Sequence, residues 1–593
     1  MDDASDCMVD YVVVPLVHAR NERDVLRGGD RNVPLTRSDL LVPAHQWSTS
    51  VVGRISEWLD FDGVNERTIL NSRLVLRQEI EWALHLSLSA VILPTPTWAC
   101  TNYASCVLSS LLSSSGCAFW VEVPLISSKQ MMIFSQELDD LEAHETFDDS
   151  WECWAKMKTL CNHHPNLHVA LVVTENVPEE QVVDRWIGEP VRALILPVEI
   201  FLTNKKGFPV LSKRHQAFVK KFFHYSVQVI IRGAIRHPSG PSAYQQYITW
   251  LWKQIPQLTE LQRFERPYWD YLQSPLQPLM DNLESQTYET FEKDPVKYQK
   301  YEEAILEALV KDPFLKGKEQ VVVMVLGAGR GPLVSAAIRA AKNANRKLKI
   351  FALEKNVNAI NTLLNQRDSN PLWQDVTVIS TDIRHWKTDH LADVVISELL
   401  GSFGDNELSP ECLYGAQHLM KEGGISIPSS YTSFLAPLSS HKLYTEVGTF
   451  NNPKNYETAY VVKFHAAHVL APTKPCFTFQ HPSKNTNCDR YCVQEFSFTH
   501  SAMVHGLAGY FDAELYKDVH ISIHPPTSTP DMFSWFPLFF PFKTPVYIPE
   551  DSTVSVHMWR LTDGKKVWYE WSMNGPSTVP IHNANGKSWW IGL

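Results

Sequence analysis

Glu398 and Glu407 stand nine residues apart in the stretch Ser397-Glu-Leu-Leu-Gly-Ser-Phe-Gly-Asp-Asn-Glu407. This pair is the part of the chain best suited to chemistry. Two carboxylates that face each other clamp a planar cation with several N–H donors, and the natural guest is an arginine guanidinium. Arginine is a poor nucleophile because it is protonated; removing that proton at neutral pH costs roughly 7.5 kcal/mol. Carboxylates on two sides polarise the guanidinium, so that one nitrogen lone pair points at an electrophile. Either glutamate is placed to take the proton late in such a reaction, and the sequence leaves open which. A plainer reading is that Glu407-Leu-Ser-Pro starts a helix and one glutamate only caps it.

The elements that must position this pair are legible. The run Ala392 to Ile396, broken only by Asp393, reads as a buried parallel strand. Gly401 and Gly404 let the following segment turn back on itself. Upstream, Val321 to Leu326 is another buried strand, followed by Gly327-Ala-Gly-Arg-Gly331 and by Pro332, which opens a helix. Such a turn brings backbone close to a ligand, although its GxGxG spacing lacks the third glycine of a dinucleotide fingerprint. A second strand, Lys349 to Leu353, ends in Glu354, an acid placed to accept two ribose hydroxyls. A third, Val376 to Ser380, leads to Asp382, suited to an adenine amine, and to Ile383, suited to the ring. The strand ends thus carry a glycine turn and then three acids. That order resembles class I S-adenosylmethionine-dependent methyltransferases. A sulfonium donor brings a second positive charge. Two charges about 4 Å apart repel by roughly 4 kcal/mol at an effective dielectric of about 20, so two glutamates are needed where one would not suffice.

The 593-residue chain is too long for one core. Apolar residues make up 44% and charged residues 20%, as in a globular protein. The N-terminus, Met1-Asp-Asp-Ala-Ser-Asp6, is acidic and carries no hydrophobic signal segment, and no run of about 18 apolar residues predicts a membrane span. Ten cysteines lack paired spacing and read as free thiols. Neither Cys161 with His163 and His164 nor Cys488 with Cys492 completes a zinc ligand set, so no metal is expected. A net charge of −11 disfavours direct nucleic-acid binding and is compatible with basic, arginine-rich partners.

Three regions follow from the pattern. Residues 1–255 alternate apolar runs (Tyr11 to Leu16, Ala90 to Leu93, Phe119 to Leu125, Val169 to Val173, Val191 to Leu196, Val227 to Ile231) with amphipathic stretches, which predicts a (β/α)8-type barrel. Residues 256–428 begin with Tyr268 to Leu309, read as helical, and continue as a Rossmann-like methyltransferase fold. Residues 429–593 alternate at the strand period, with Asp563-Gly564 as a tight hairpin, which predicts an antiparallel β-barrel or sandwich. The whole is an α/β multidomain chain.

The stretches SELLGSFGDNELSPECL and LQSPLQPLMDNLESQTYETFEKDPVKY resemble the type II protein arginine methyltransferases of animals, the protein arginine methyltransferase five family. The resemblance runs from Tyr268 to Leu593 and is strongest between Leu272 and Pro437. It implies that Tyr288, Lys297 and Tyr298 contact the methyl donor, S-adenosylmethionine, with Gly327 and Gly329 in its turn, Glu354 on its ribose, and Asp382 and Ile383 on its adenine. Ile383 departs from the methionine familiar at that place. Glu398 and Glu407 match the catalytic pair. Phe291 matches the aromatic that marks symmetric dimethylation. Trp535, within Phe533-Ser534-Trp535-Phe536, matches the aromatic over the substrate arginine; asymmetric members carry threonine-histidine-tryptophan there. The products implied are ω-N-monomethylarginine and symmetric dimethylarginine on arginine-glycine-rich proteins such as histones and spliceosomal Sm proteins. A WD-repeat propeller partner on the barrel, a homo-oligomer (dimer or tetramer), and residence in cytoplasm and nucleus are further implications. A catalytically silent scaffold with the same fold, or a methyltransferase with another acceptor, is the alternative.

Overall fold

The computed structural model describes residues 9–17, 42–114, 116–127 and 149–593. The acidic N-terminal stretch lies outside them. The chain divides into two units: Met1–Gln257 with Ser440–Thr445 and His465–His468, and Leu258–Ser439 with Glu446–Phe464 and Val469–Leu593.

In the first unit, short β-branched runs become strands. They are β1 (Val12–Pro15), β2 (Val51–Arg54), β3 (Ala90–Leu93), β4 (Ala118–Pro124), β5 (Leu167–Val172), β6 (Val191–Pro197) and β7 (Gln228–Arg232). They pair in chain order, and every pairing is parallel. Helices Glu66–His85, Thr101–Ser113, Ser150–Leu160 and Lys213–Phe223 lie between successive strands. Val13, Val52, Ile92, Trp120, Ala170, Ile195 and Ile230, one from each strand, meet in a single cluster. A sheet gathers side chains from its first and last strands only by curling, so this is a nearly closed parallel barrel. Among the described residues this sheet has seven strands, six of them at the apolar runs of the sequence, where a (β/α)8 barrel has eight. The one that the alternation did not reveal is β2, whose apolar run Val51-Val52 is cut short by Gly53 and Arg54. A Cβ on Gly53 would meet Leu88 and Leu16 side chains at 2.9–3.0 Å.

The second unit contains a five-stranded parallel sheet of β8 (Gln320–Leu326), β9 (Lys347–Glu354), β10 (Val376–Ser380), β11 (Ala392–Ser397) and β12 (Met420–Ile427), in the order β10-β9-β8-β11-β12. The chain leaves β8 toward one edge and returns on its other side with β11. Ligands of open α/β sheets bind beyond the carboxyl ends of the strands at such a switch point. Every residue of β11 is buried. Its one charge, Asp393, accepts the Val322 amide at 2.8 Å and the ammonium groups of Lys318 and Lys421 at 2.5 and 2.8 Å. These donors outweigh the effect of burial and hold its pKa below the usual carboxylate value.

One expectation is corrected. Tyr268 to Leu309 is not continuously helical: the helices are α1 (Ser285–Glu292) and α2 (Pro295–Lys311). Residues 269–284 are irregular because Pro275 and Pro278 remove donors and force extended predecessors. This segment pairs instead with Val461 and Lys463. Beyond residue 429 the strands are antiparallel, in a seven-stranded and a five-stranded sheet. Ser552–Thr562 and Lys566–Asn574 form the hairpin, with Gly564 at φ +83° and the Asp563 carboxylate accepting the Lys565 and Lys566 amides. Phe511, Phe540, Tyr569 and Trp571 of these sheets share one core with Tyr301 of α2 and Val323 of β8.

Candidate functional site

A cavity of about 540 Å³ opens at the carboxyl ends of β8, β9 and β11. All the residues singled out in the sequence as catalytic, donor-binding or specificity-determining line it: Tyr288, Phe291, Lys297, Tyr298, Gly327, Gly329, Glu354, Asp382, Ile383, Glu398, Glu407, Phe533, Ser534 and Trp535.

On the donor side, Gly327, Gly329 and Gly331 all have positive φ (+72°, +53° and +100°) and deliver the chain into α3 (Pro332–Asn343). A Cβ at Gly331 would stand 2.3 Å from the buried Trp373 ring, so this glycine serves packing as well as the turn. Glu354 is 6% exposed, and its two oxygens accept the amides of Gly329 (2.8 Å) and Asn356 (2.7 Å). Each oxygen keeps a lone pair for a hydroxyl. The Tyr288 hydroxyl lies 3.2 Å from Asn356 Nδ2. Asp382 is gripped by the Arg384 fork, with Nη2 at 2.8 Å, which holds its pKa down against the effect of burial. Ile383 is buried beside Phe351 and Leu353. An adenosyl group carrying a carboxylate fits this donor set: an acid for ribose, apolar side chains for a base, and amides at a helix N-terminus for negative charge.

On the acceptor side, Gly401 and Gly404 pair their backbones across a tight turn, and Asn406 Oδ1 accepts the Phe403 amide at 2.7 Å. This turn returns Glu407 toward Glu398. Helix α4 (Ser409–Ala416) starts after Leu408, a buried residue in the left-handed region at φ +65°. Its N-terminus has no side-chain cap, so Glu407 is not its cap. Glu398 Oε2 accepts Lys297 Nζ at 2.9 Å. Among the described residues no hydrogen bond or ion pair engages the partly buried Glu407 carboxylate. Burial, and then the Glu398 charge, hold its pKa well above the usual value, with Lys297 pulling the other way. Burial works against the Lys297 ammonium, but Glu398, with Tyr298 and Asp294 adding to it, offsets that effect and the lysine titrates above its usual range. Burial also raises Tyr298 to about 12. The ammonium sits 5.3, 4.9 and 5.0 Å from the ring centres of Phe291, Tyr298 and Trp535.

Two networks were not visible in the sequence. Asp294 is fully buried and joins the start of α2 to the loop of Phe533 and Ser534. Its Asp-Pro spacing announces a helix cap and nothing more. Arg560, also fully buried, binds Asp405 at 2.6 Å and both oxygens of Glu411 at 2.8 Å, so it grips the chain on either side of Glu407. Tyr569 and Ser433 add their hydroxyls to Asp405.

Three family models match the chain in succession: a PRMT5 TIM barrel domain over residues 8–254, a PRMT5 arginine-N-methyltransferase domain over 259–427 and a PRMT5 oligomerisation domain over 430–591. A protein arginine N-methyltransferase 5 of Oryza sativa subsp. japonica is 47% identical, covering 98% of this chain and 94% of its own length. The Xenopus laevis protein of the same name is 43% identical over 98% and 95%; with the Oryza sativa match, the likeness is not confined to animals. The Schizosaccharomyces pombe protein arginine N-methyltransferase skb1 is 37% identical over 91% and 88%. Among solved structures, the Trypanosoma brucei PRMT1 enzyme-prozyme heterotetrameric complex with AdoHcy aligns at 15% identity and TM-score 0.42, covering 51% of this chain and 97% of that one. With all three domain models matched in order and relatives alike over nearly their full length, this chain belongs to the PRMT5 family of arginine N-methyltransferases.

Proposed function

We propose that the chain is an S-adenosylmethionine-dependent protein arginine N-methyltransferase that forms ω-N-monomethylarginine and symmetric dimethylarginine. The observation that carries this reading is the meeting of Glu398 and Glu407 in one cavity with the Gly327–Gly331 turn and Glu354. When bound, the donor supplies an electrophilic methyl group on a sulfonium centre. Gly329, Glu354, Asp382, Ile383 and Tyr288 are the residues that would hold it.

The protein's own part is to bind and orient the guanidinium and to move one proton. Glu398, paired with Lys297, holds one edge of the guanidinium. Glu407 faces the cavity with no hydrogen-bond partner among the described residues, so it can accept N–H from the other edge. A cation beside Glu407 favours its charged form, and binding therefore expels any proton it carries. Forming the new C–N bond on a guanidinium gives a dication. One N–H proton must then leave; Glu398 is already engaged by Lys297, and Glu407, with its raised pKa, is the acceptor in this reading.

Phe291 and Trp535 wall the same space and supply cation–π attraction worth about 0.5–2 kcal/mol. Phe291 limits the room beside one nitrogen. A monomethylated arginine then has to present its other terminal nitrogen, which gives the symmetric isomer. The substrates that suit the reading are arginine-glycine-rich tails of histones and Sm proteins, whose glycines let the backbone come close to the cavity wall. The match of residues 430–591 to an oligomerisation domain supports self-assembly. The family resemblance supports a WD-repeat propeller on the barrel and residence in cytoplasm and nucleus.

The test is incubation of the full chain, alone and with a candidate propeller partner, with labelled donor and an arginine-glycine peptide, then acid hydrolysis and mass spectrometry. Symmetric dimethylarginine is expected. Asymmetric product overturns the type II assignment. No methylarginine under either condition, in protein shown to bind donor, overturns the enzymatic one.

A further inference from the structure

Residues 528–537 run between strands without regular structure, and they carry Phe533, Ser534 and Trp535 into the cavity. A wall built on such a loop needs an outside anchor. Trp535 is held at its indole end, where Nε1 donates to Leu400 O at 2.8 Å, and its ring stands edge-on to Phe511 at 5.2 Å. The backbone is held by Asp294. Its Oδ2 accepts the Phe533 amide (2.9 Å), the Ser534 amide (2.9 Å) and the Ser534 hydroxyl (2.7 Å). Its Oδ1 accepts the amides of Val296 (3.1 Å) and Lys297 (3.3 Å) at the start of α2. One fully buried carboxylate therefore takes five donors from two segments 240 residues apart in the chain.

Each segment supplies one side of the cavity. Helix α2 brings Lys297, the counter-ion of Glu398, while the loop brings Trp535. Asp294 touches neither the guanidinium site nor the donor turn, but it fixes the separation of the two walls between which the acceptor must fit. Capping α2 needs only one oxygen, and serine or asparagine would do that equally well. The second oxygen, with three donors from the loop, has no part in the helix. Its work is to join the loop to the helix.

We propose that Asp294 is a positioning residue for acceptor recognition, setting Trp535 against the Lys297–Glu398 side of the cavity; this rests on the arginine-methyltransferase reading above. The substitutions Asp294→Ser and Asp294→Asn separate its two tasks. Both keep a capping oxygen for α2. Serine is too short to reach the loop, and asparagine can turn an N–H donor toward three donors.

The readouts, on the full chain, are affinity for a fluorescent arginine-glycine peptide by anisotropy, donor affinity by calorimetry, and hydrogen exchange over residues 528–537. Losing charge-assisted hydrogen bonds to the loop should weaken peptide binding by about tenfold or more. Donor affinity should stay within about twofold of the parent, and exchange in the loop should quicken. Because peptide binding is read directly, the result stands apart from whether the parent forms methylarginine. Peptide affinity unchanged in both variants overturns the proposal. So does a parallel loss of donor and peptide affinity, which would mark Asp294 as general scaffolding. Should neither variant fold, Ser534→Ala removes a single donor and should weaken the peptide by a few-fold; an unchanged affinity there overturns the proposal equally.

Discussion

Lys297 Nζ lies 2.9 Å from Glu398 Oε2, with the lysine side chain only 1% exposed. The chain thus supplies its own cation to one member of the glutamate pair, while the other has no hydrogen-bond partner among the described residues. The two carboxylates are unequal before any guest arrives: one is compensated and one is pushed toward its neutral form. Removing the cation should make both easier to protonate. In Lys297→Met, the acid limb of the pH dependence of kcat/KM is therefore expected to move to higher pH, by about 1 unit or more. An acid limb that stays in place would show that Lys297 does not set the charge of the pair.

Glu407→Gln keeps the shape of the site and removes the proposed base and one carboxylate. A loss of kcat of about 10²–10³-fold is expected, the scale of deleting one electrostatic stabiliser of a transition state. Donor affinity should be retained, since Glu407 is not among the residues proposed to hold the donor. Donor titration and single-turnover transfer to an arginine-glycine peptide check both statements.

The same substitution should raise stability, with a definite sign in pH. The folded-state pKa of Glu407 lies above its unfolded value near about 4.3. Folding therefore favours the protonated carboxyl. The penalty is absent below the unfolded pKa and grows as pH rises through the folded one. Melting curves of parent and Glu407→Gln should nearly coincide around pH 4 and separate toward pH 8, with the variant more stable. The opposite order at pH 8 would mean that the ionised carboxylate is favourably held.

Phe291→Met should relax product choice. A flexible thioether occupies the space of the ring without its rigid edge, so a monomethylated nitrogen can return to the donor side. Asymmetric dimethylarginine is expected beside the symmetric isomer, measured by mass spectrometry of hydrolysates. An unchanged product ratio would remove the steric account.

How much of this was legible depends on what held each residue in place. The glycine turn, Glu354, Asp382 and the glutamate pair follow strands with simple apolar patterns, and a strand end fixes what comes next. The stretch of residues 269–284 misled because its apolar residues alternate loosely, while two prolines and pairing with Val461 and Lys463 decide its course. Strand β2 escaped because Gly53 and Arg54 end its apolar run after two residues. Asp294 and Arg560 could not be placed at all: their partners lie about 240 and 150 residues away, and no local pattern encodes such pairings. Lys297 was expected beside the donor. Its pairing with Glu398, across 101 residues, is likewise a property of the fold.

Arg560 provides the last test, because it ties the chain around Glu407 to the strand Ser552–Thr562. The turn it grips includes a left-handed Leu408 and the close approach of Gly401 to Asn406, where a Cβ would stand 2.4 Å from Asn406 Oδ1. Such a turn persists only when its surroundings hold it. Arg560→Met would leave Asp405 buried without its cation and strip Glu411 of a two-pronged partner. The loss of stability expected is about 3–5 kcal/mol, read by chemical denaturation. Arg560→Lys keeps a charge but cannot fork to both acids. The lysine variant should stay folded, bind donor normally and lose kcat by about tenfold or more, as Glu407 drifts from its working position. If that variant lost stability alone, with kcat of the folded enzyme intact, the ion cluster would be a fastening of the β-sheets and nothing to do with the glutamate.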